Sequence, residues 1–298
     1  MLKPISHLLH LFLLTVLIGS STTIVYYLNN EPVVMPVETI VPVSTPVSTP
    51  TLAPTPVPPV PAAMETSPDP NWSVVRPGLE KRVIEIYNGQ NQQVETLHIW
   101  RLDQDYFRMD IAFDGRPKTL EAWQAETGAA LVVNGGYYSI ENERYFPDGL
   151  TISGGETVQR GVNRFEGLLA IDRDRAEVRW LDEQPYNSSE PLQAALQSFP
   201  ILVEPGGGLG FPASRGSQAR ARRTVIAQDR EGRILFMIAP QGHFTLHELS
   251  VYLTASGLDL DIALNLDGGG STGIFMVEPR DSIPPTRPLP FVILVYPR

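Results

Sequence analysis

Asp267 stands at the end of an apolar run, Ala263-Leu264-Asn265-Leu266. It is followed by Gly268-Gly269-Gly270 and then by the hydroxyls of Ser271 and Thr272. Consecutive glycines cost conformational entropy on folding and bring no side chain to pack. They make sense where backbone N–H groups must come close to an anion or a sugar. The stretch thus sets one carboxylate beside backbone that can approach an anion or a sugar closely. The same letters also describe a glycine-rich turn at a strand end, so the motif is weighed with the rest of the chain.

Four other segments share the form of an apolar run meeting glycine or polar residues. Leu131-Val132-Val133 leads into Asn134-Gly135-Gly136-Tyr137-Tyr138, which reads either as a hairpin turn or as a sugar site. In a sugar site, an amide would bond hydroxyls and an aromatic face would stack on a pyranose ring. Phe146-Pro147-Asp148-Gly149-Leu150 reads into the strand at Ile152 and holds an ordinary turn tripeptide. Ser198-Phe199-Pro200-Ile201-Leu202-Val203 precedes the glycines at 206–208. Ala219-Arg220-Ala221-Arg222-Arg223-Thr224 enters an apolar strand. Arginines there are a solvated basic loop or, for Arg223 nearest the strand, a candidate for carboxylate or phosphate recognition.

Two tempting motifs fail on physical grounds. Gly269 to Gly273 matches the nucleophile-elbow spacing G-x-S-x-G, but that elbow needs a following helix and a later acid and histidine. All five histidines precede Ser271, and Ile274-Phe275-Met276-Val277 reads as a strand. His243 and His247 are four apart, but His243 precedes the helix start, so they do not share a face as H-E-x-x-H zinc ligands do.

The elements that must hold these residues are mainly short β-rich runs. They are expected at Arg82–Tyr87, Leu97–Leu102, Tyr106–Phe113, Ala130–Asn134, Val178–Leu181, Thr224–Ala227, Ile234–Ile238, Ile262–Leu266 and Phe291–Tyr296. Helical patterns fall at Leu120–Glu126, Leu192–Gln197 and Leu246–Ala255, the last behind a capping box at Thr245 and Glu248. Strands and helices do not alternate strictly, so the expected fold is α+β, a single mixed-sheet domain over 71–298. Ahead of it, His7 to Leu28 is uncharged and mostly apolar, long enough for a membrane-spanning signal-anchor over 1–30 with a cytoplasmic N-terminus. A cleaved signal peptide is the competing reading, and both export the remainder. Residues 31–70 are dense in Pro, Thr, Val and Ser and read as an extended linker. The formal net charge of -10 argues against a nucleic-acid partner, and the absence of cysteine excludes disulfides and thiolate chemistry.

In order along the chain, Asn134–Tyr138, Asp148–Ile152, Pro200–Val203, Arg223–Ile226, Gly242 ahead of Glu248, and Asn265–Ser271 resemble the motifs of the phosphodiester glycosidase domain family. That family includes bacterial relatives described as exopolysaccharide-related. The chain departs from the family pattern at Arg222, where alanine is usual, and at Ala227, where glycine is usual. The resemblance implies hydrolysis of the glycosidic bond of a sugar-1-phosphodiester. Asp267 would be nucleophile or general base, and Arg223 would hold the phosphate with the N–H groups of Gly268, Gly269 and Gly270. Asp148 or Glu248 would supply a second carboxylate. Asn134 and Tyr137 would bind the sugar, within a substrate-binding set completed by Gly135, Gly136, Thr224, Asn265 and Ser271. No cofactor is expected, with a structural calcium left open. Two other classes stay in play: a surface polysaccharide-binding module, and a phosphodiesterase that cleaves P–O.

Overall fold

The computed structural model describes residues 72–298 apart from 163, 216 and 217, together with five short strands before residue 72. The chain divides into two units, 1–55 and 56–298. In the first, Leu17–Ile18 pairs with Ser21–Thr22 and Tyr26–Leu28 pairs with Glu31–Val33. The rest of the expected anchor (1–30) lies outside the described residues, as does the linker (31–70) apart from Glu31–Val33 and Glu65–Thr66. No helix among the described residues is long and apolar enough to cross a membrane.

Period-two alternation builds the second unit. Along Leu131–Asn134, Leu131 and Val133 face one core while Val132 faces another. The strand sits within a five-stranded sheet, ordered Asp281–Ile283, Ile274–Met276, Leu131–Asn134, Leu289–Pro297, Phe107–Lys118. A second five-stranded sheet runs Glu156–Gln159, Thr151–Ser153, Ala194–Ser198, Gly167–Ile171, Ala176–Trp180. The largest sheet has nine strands, with Ile201–Glu204, Leu260–Asn265, Arg223–Asp229, Ile234–Ala239, Gln93–Leu102 and Leu79–Tyr87 as its body. All three contribute to one apolar core, in which Trp100, Phe236 and Leu264 meet Ile111, Val133 and Phe291, and Leu169 and Leu196.

The outer faces of two sheets are closed by one helix each. Leu246–Thr254 lays Leu249, Tyr252 and Leu253 over the nine-stranded sheet. Leu120–Thr127 lays Leu120 and Trp123 over the five-stranded sheet, with the Trp123 indole N–H donating to the Leu289 carbonyl at 2.8 Å. Both helices start at a threonine cap, and the Thr245–Glu248 capping box forms in full.

Two expectations are corrected. The described pairings are all antiparallel, so the sheets are not mixed and the domain is mostly β with few helices. Leu192–Gln197 is not helical: Ala194–Ser198 is a strand buried along its length. A short run buried on both faces has no alternation to betray it, and Ala and Leu suit a helix equally well.

Candidate active site

Strand ends from all three sheets meet at one place. The nine-stranded sheet brings Arg223 and Thr224 at the start of one strand and Asn265 at the end of its neighbour, paired to Val225. A five-stranded sheet ends on Asn134, and the other contributes Ser198 and the Asp148 turn that leads into Thr151–Ser153. Cross-links fasten these ends together. The Thr224 hydroxyl donates to Asn134 Oδ1 at 2.7 Å, the Ser198 hydroxyl to the Asn265 carbonyl at 2.8 Å, and the Asp148 N–H to the Tyr137 carbonyl at 2.9 Å.

Asp267 follows directly on Asn265–Leu266 and is held by its own turn. The Gly268 N–H donates to its Oδ1 at 2.8 Å, and the Ser271 hydroxyl also bonds to the carboxylate. Burial pushes its carboxyl above the usual carboxylate range, and the nearby charge of Asp148 adds to the rise. The Ser271 and Gly268 bonds and the Arg287 guanidinium pull the other way without cancelling it. The three glycines differ in what requires them. Gly269 sits at φ 57° in the left-handed region, where side chains are strained. A Cβ on Gly268 would lie 2.7 Å from the Arg222 carbonyl oxygen, and one on Gly270 would lie 2.6 Å from Arg287 Nη2.

Arg223 is buried at 9 % exposure. Its Nη2 donates to the Ala219 carbonyl at 2.8 Å and its Nε to the Phe244 carbonyl at 3.3 Å. Among the described residues no carboxylate forms an ion pair with it, in contrast to Arg220, Arg233 and Arg179. Burial lowers its pKa. The Tyr137 hydroxyl feels both the Asp267 and the Arg223 charge, and burial is the main reason its pKa is pushed up to about 12. A neutral phenol, a raised carboxyl and an unpaired buried guanidinium thus share one locale.

The expected sugar-binding residues mostly serve as frame. Asn134 Nδ2 donates to the Asp267 carbonyl at 2.8 Å and to the Gly135 carbonyl at 3.2 Å, while Oδ1 accepts from Thr224 and from the Gly273 N–H at 3.0 Å. Its amide is fully engaged. Asn265 Nδ2 donates to the Tyr137 hydroxyl at 2.8 Å and to the Phe199 and Leu266 carbonyls; its buried Oδ1 has no partner among the described residues. The Tyr137 hydroxyl donates to the Phe199 carbonyl at 3.0 Å, and its ring lies 5.7 Å from that of Phe165. Gly135 and Gly136 allow strands to close up, since a Cβ on either would press on Phe291 or Leu196.

Two further expectations about this region change. The Gly268 and Gly269 N–H groups are already bonded, to Asp267 and to the Arg222 carbonyl at 2.8 Å, so they do not form an open anion nest. Glu248 is the helix cap. Its Oε2 accepts from the Thr245 N–H at 2.9 Å and its Oε1 from Arg220 Nη2 at 2.5 Å, so the carboxylate is held at the helix start. Asp148 is the carboxylate whose charge acts on Asp267. Among the described residues no group of three His, Asp or Glu side chains converges as a cation site would require.

Two contributors escaped the motif reading. Gln197 ties the Asp148 turn to the 162–165 loop, accepting from the Leu150 and Val162 N–H groups and donating to the Val162 and Phe165 carbonyls. Arg287 lies in a proline-rich stretch that carries no catalytic pattern, and only the fold brings it over Gly270. The dense prolines around it were a legible sign of a stiff segment, but not of its address.

The phosphodiester glycosidase family model matches residues 127–296, more than half of the chain. No curated protein matches the sequence. Among solved structures, the pro-peptide-inhibited catalytic domain of zebrafish N-acetylglucosamine-1-phosphodiester alpha-N-acetylglucosaminidase is similar, with a TM-score of 0.59 at 17% identity. The match covers 79% of this chain and 89% of that one. A hypothetical protein from Synechocystis gives 0.52 at 15% identity, covering 74% and 62%. A Burkholderia pseudomallei protein described as exported gives 0.51 at 13%, covering 68% and 74%. At these identities the structural likeness speaks for the fold.

Proposed function

The chain belongs to the phosphodiester glycosidase family, and from that premise we propose that it hydrolyses the glycosidic C–O bond of sugar-1-phosphodiesters, releasing a free sugar and a phosphomonoester. The observation that carries this reading is the convergence of an oriented, half-buried Asp267 and the acid-free, buried Arg223 on Tyr137. Phosphate leaves well, so protonating it matters less than in an ordinary glycoside. What remains is to hold its charge and to stabilise an oxocarbenium-like centre or activate water. Arg223 supplies fixed positive charge in a dry setting, where it counts for most. Asp267, fixed by the Gly268 N–H and the Ser271 hydroxyl, acts as nucleophile or as base toward water. Asp148 is the second carboxylate, and its charge adds to the burial that raises the Asp267 proton affinity.

The sugar reaches the site between Asp267 and the Asp148 turn, and Asn134, Thr224 and Asn265 hold the strand ends that frame it. The setting we propose is extracytoplasmic, with residues 1–30 as anchor and the substrate drawn from cell-surface or exopolysaccharide-related material. The test of the reaction is turnover of UDP-N-acetylglucosamine and of a synthetic α-sugar-1-phosphodiester, wild type against Asp267→Asn. Free sugar from the wild type, lost in the variant, supports it. Equal turnover by both removes Asp267 from the mechanism.

A further inference from the structure

The stretch Ile283-Pro284-Pro285-Thr286-Arg287-Pro288-Leu289-Pro290 contains four prolines, and fixed φ angles make such a segment stiff. It is fastened to the Asp267 turn at several points. The Thr286 N–H donates to the Gly270 carbonyl at 2.9 Å and its hydroxyl reaches the same oxygen at 3.3 Å. Arg222 Nη2 donates to the Pro284 carbonyl at 2.9 Å. Pro285 packs so closely on Gly273 that a Cβ there would lie 2.6 Å from its Cδ.

This arrangement delivers the Arg287 guanidinium over Gly270, where a Cβ would lie 2.6 Å from Nη2 and 2.7 Å from Nε. Its charge reaches Asp267. Arg287 is exposed, and among the described residues it has neither an ion pair nor a hydrogen-bond partner. Arg175, Arg220 and Arg230, also exposed, each have an acid, and what sets Arg287 apart from the other exposed arginines without one is its place over Gly270 with its charge reaching Asp267. A diester anion approaching Asp267 and Asp148 meets two like charges. Something at the rim must offset them, and a planar guanidinium fork matches phosphate oxygens two at a time.

Resting on the reading of Asp267 as the centre of a sugar-phosphodiester site, we propose that Arg287 is a specificity residue that pairs with the non-bridging phosphate oxygens and selects anionic diesters over neutral glycosides. The stiff, fastened loop fixes the backbone of Arg287 before substrate arrives, so the freedom lost on binding is that of its side chain alone.

The experiment compares full-length wild type, Arg287→Ala and Arg287→Lys in two readouts. One is affinity for inorganic phosphate by calorimetric titration. The other is kcat/KM for UDP-N-acetylglucosamine against the neutral p-nitrophenyl N-acetyl-α-glucosaminide. The expected result is a loss of about ten- to a hundredfold in phosphate affinity and in diester kcat/KM for Arg287→Ala, carried mainly by KM. The neutral glycoside changes less than about threefold, and Arg287→Lys recovers part of the loss because it keeps the charge without the fork. Unchanged phosphate affinity in Arg287→Ala overturns the proposal, as does an equal loss on both sugar substrates. If the wild type cleaves neither substrate yet binds phosphate through Arg287, the glycosidase reading fails while the anion-binding role stands.

Discussion

Asp267 combines two properties that compete: its carboxylate is oriented by the backbone, and its burial disfavours the charge that chemistry needs. Asp267→Asn keeps the shape and removes that cost. Activity on a sugar phosphodiester should fall by about a thousandfold or more, while thermal denaturation at neutral pH shows an unchanged or higher Tm. The sign follows from linkage. A carboxyl whose folded pKa is raised destabilises the fold above that pKa, and the penalty disappears as pH falls through the folded value toward the unfolded one. The Tm advantage of the variant should therefore shrink as the pH is lowered across that window. In the active enzyme, the acidic limb of kcat/KM should lie above the ordinary carboxylate range, because Asp267 must be ionised. Asp148→Asn removes a like charge, so whatever activity remains should show that limb displaced to lower pH. A limb that stays in place would mean the two carboxylates do not communicate.

At the scale of elements, the site is a set of strand ends tied by buried amides and hydroxyls. Asn134→Ala deletes four hydrogen bonds at a position 1 % exposed, and urea unfolding should show a loss of about 2–4 kcal/mol. Glu248→Gln probes the helix cap instead. It should cost about 0.5–2 kcal/mol of stability and leave kcat/KM within about threefold, as a cap does and a catalytic acid does not. Much of this layer was readable beforehand. The Thr245–Glu248 box marked its helix because capping is local chemistry, and the alternating strands announced themselves by period. Gly167–Ile171 and Ala194–Ser198 did not: like Ile234–Ala239 they are buried on both faces and show no alternation, but Gly, Ala and Leu give them little of the β-branched and aromatic character that marked that strand. The roles of Asn134 and Asn265 were illegible for a different reason. An amide looks the same in a sequence whether it meets a sugar or a backbone carbonyl far along the chain, as Asn134 meets that of Asp267 and Asn265 that of Phe199.

Over the whole molecule, three antiparallel sheets share one core and bring their strand ends to a common mouth. The order of motifs along the chain signalled the family, but their convergence depends on long-range pairing that no local pattern records. Arg287 shows this most plainly, being twenty residues from Asp267 in sequence and over the same turn in space. The proposed anchor belongs to this scale as well. Expressed with residues 1–298, the protein should sediment with membranes after alkaline carbonate washing, and protease added outside the cell should remove the domain. Release into the soluble fraction with an N-terminus inside 19–21 would instead show a cleaved signal. The central claim is that the C–O bond breaks at the anomeric carbon, and hydrolysis of UDP-N-acetylglucosamine in water enriched in heavy oxygen tests it directly. The account predicts heavy oxygen on the anomeric carbon of the released sugar and none in the phosphate. Label in the phosphate would contradict it, placing the cleavage at P–O.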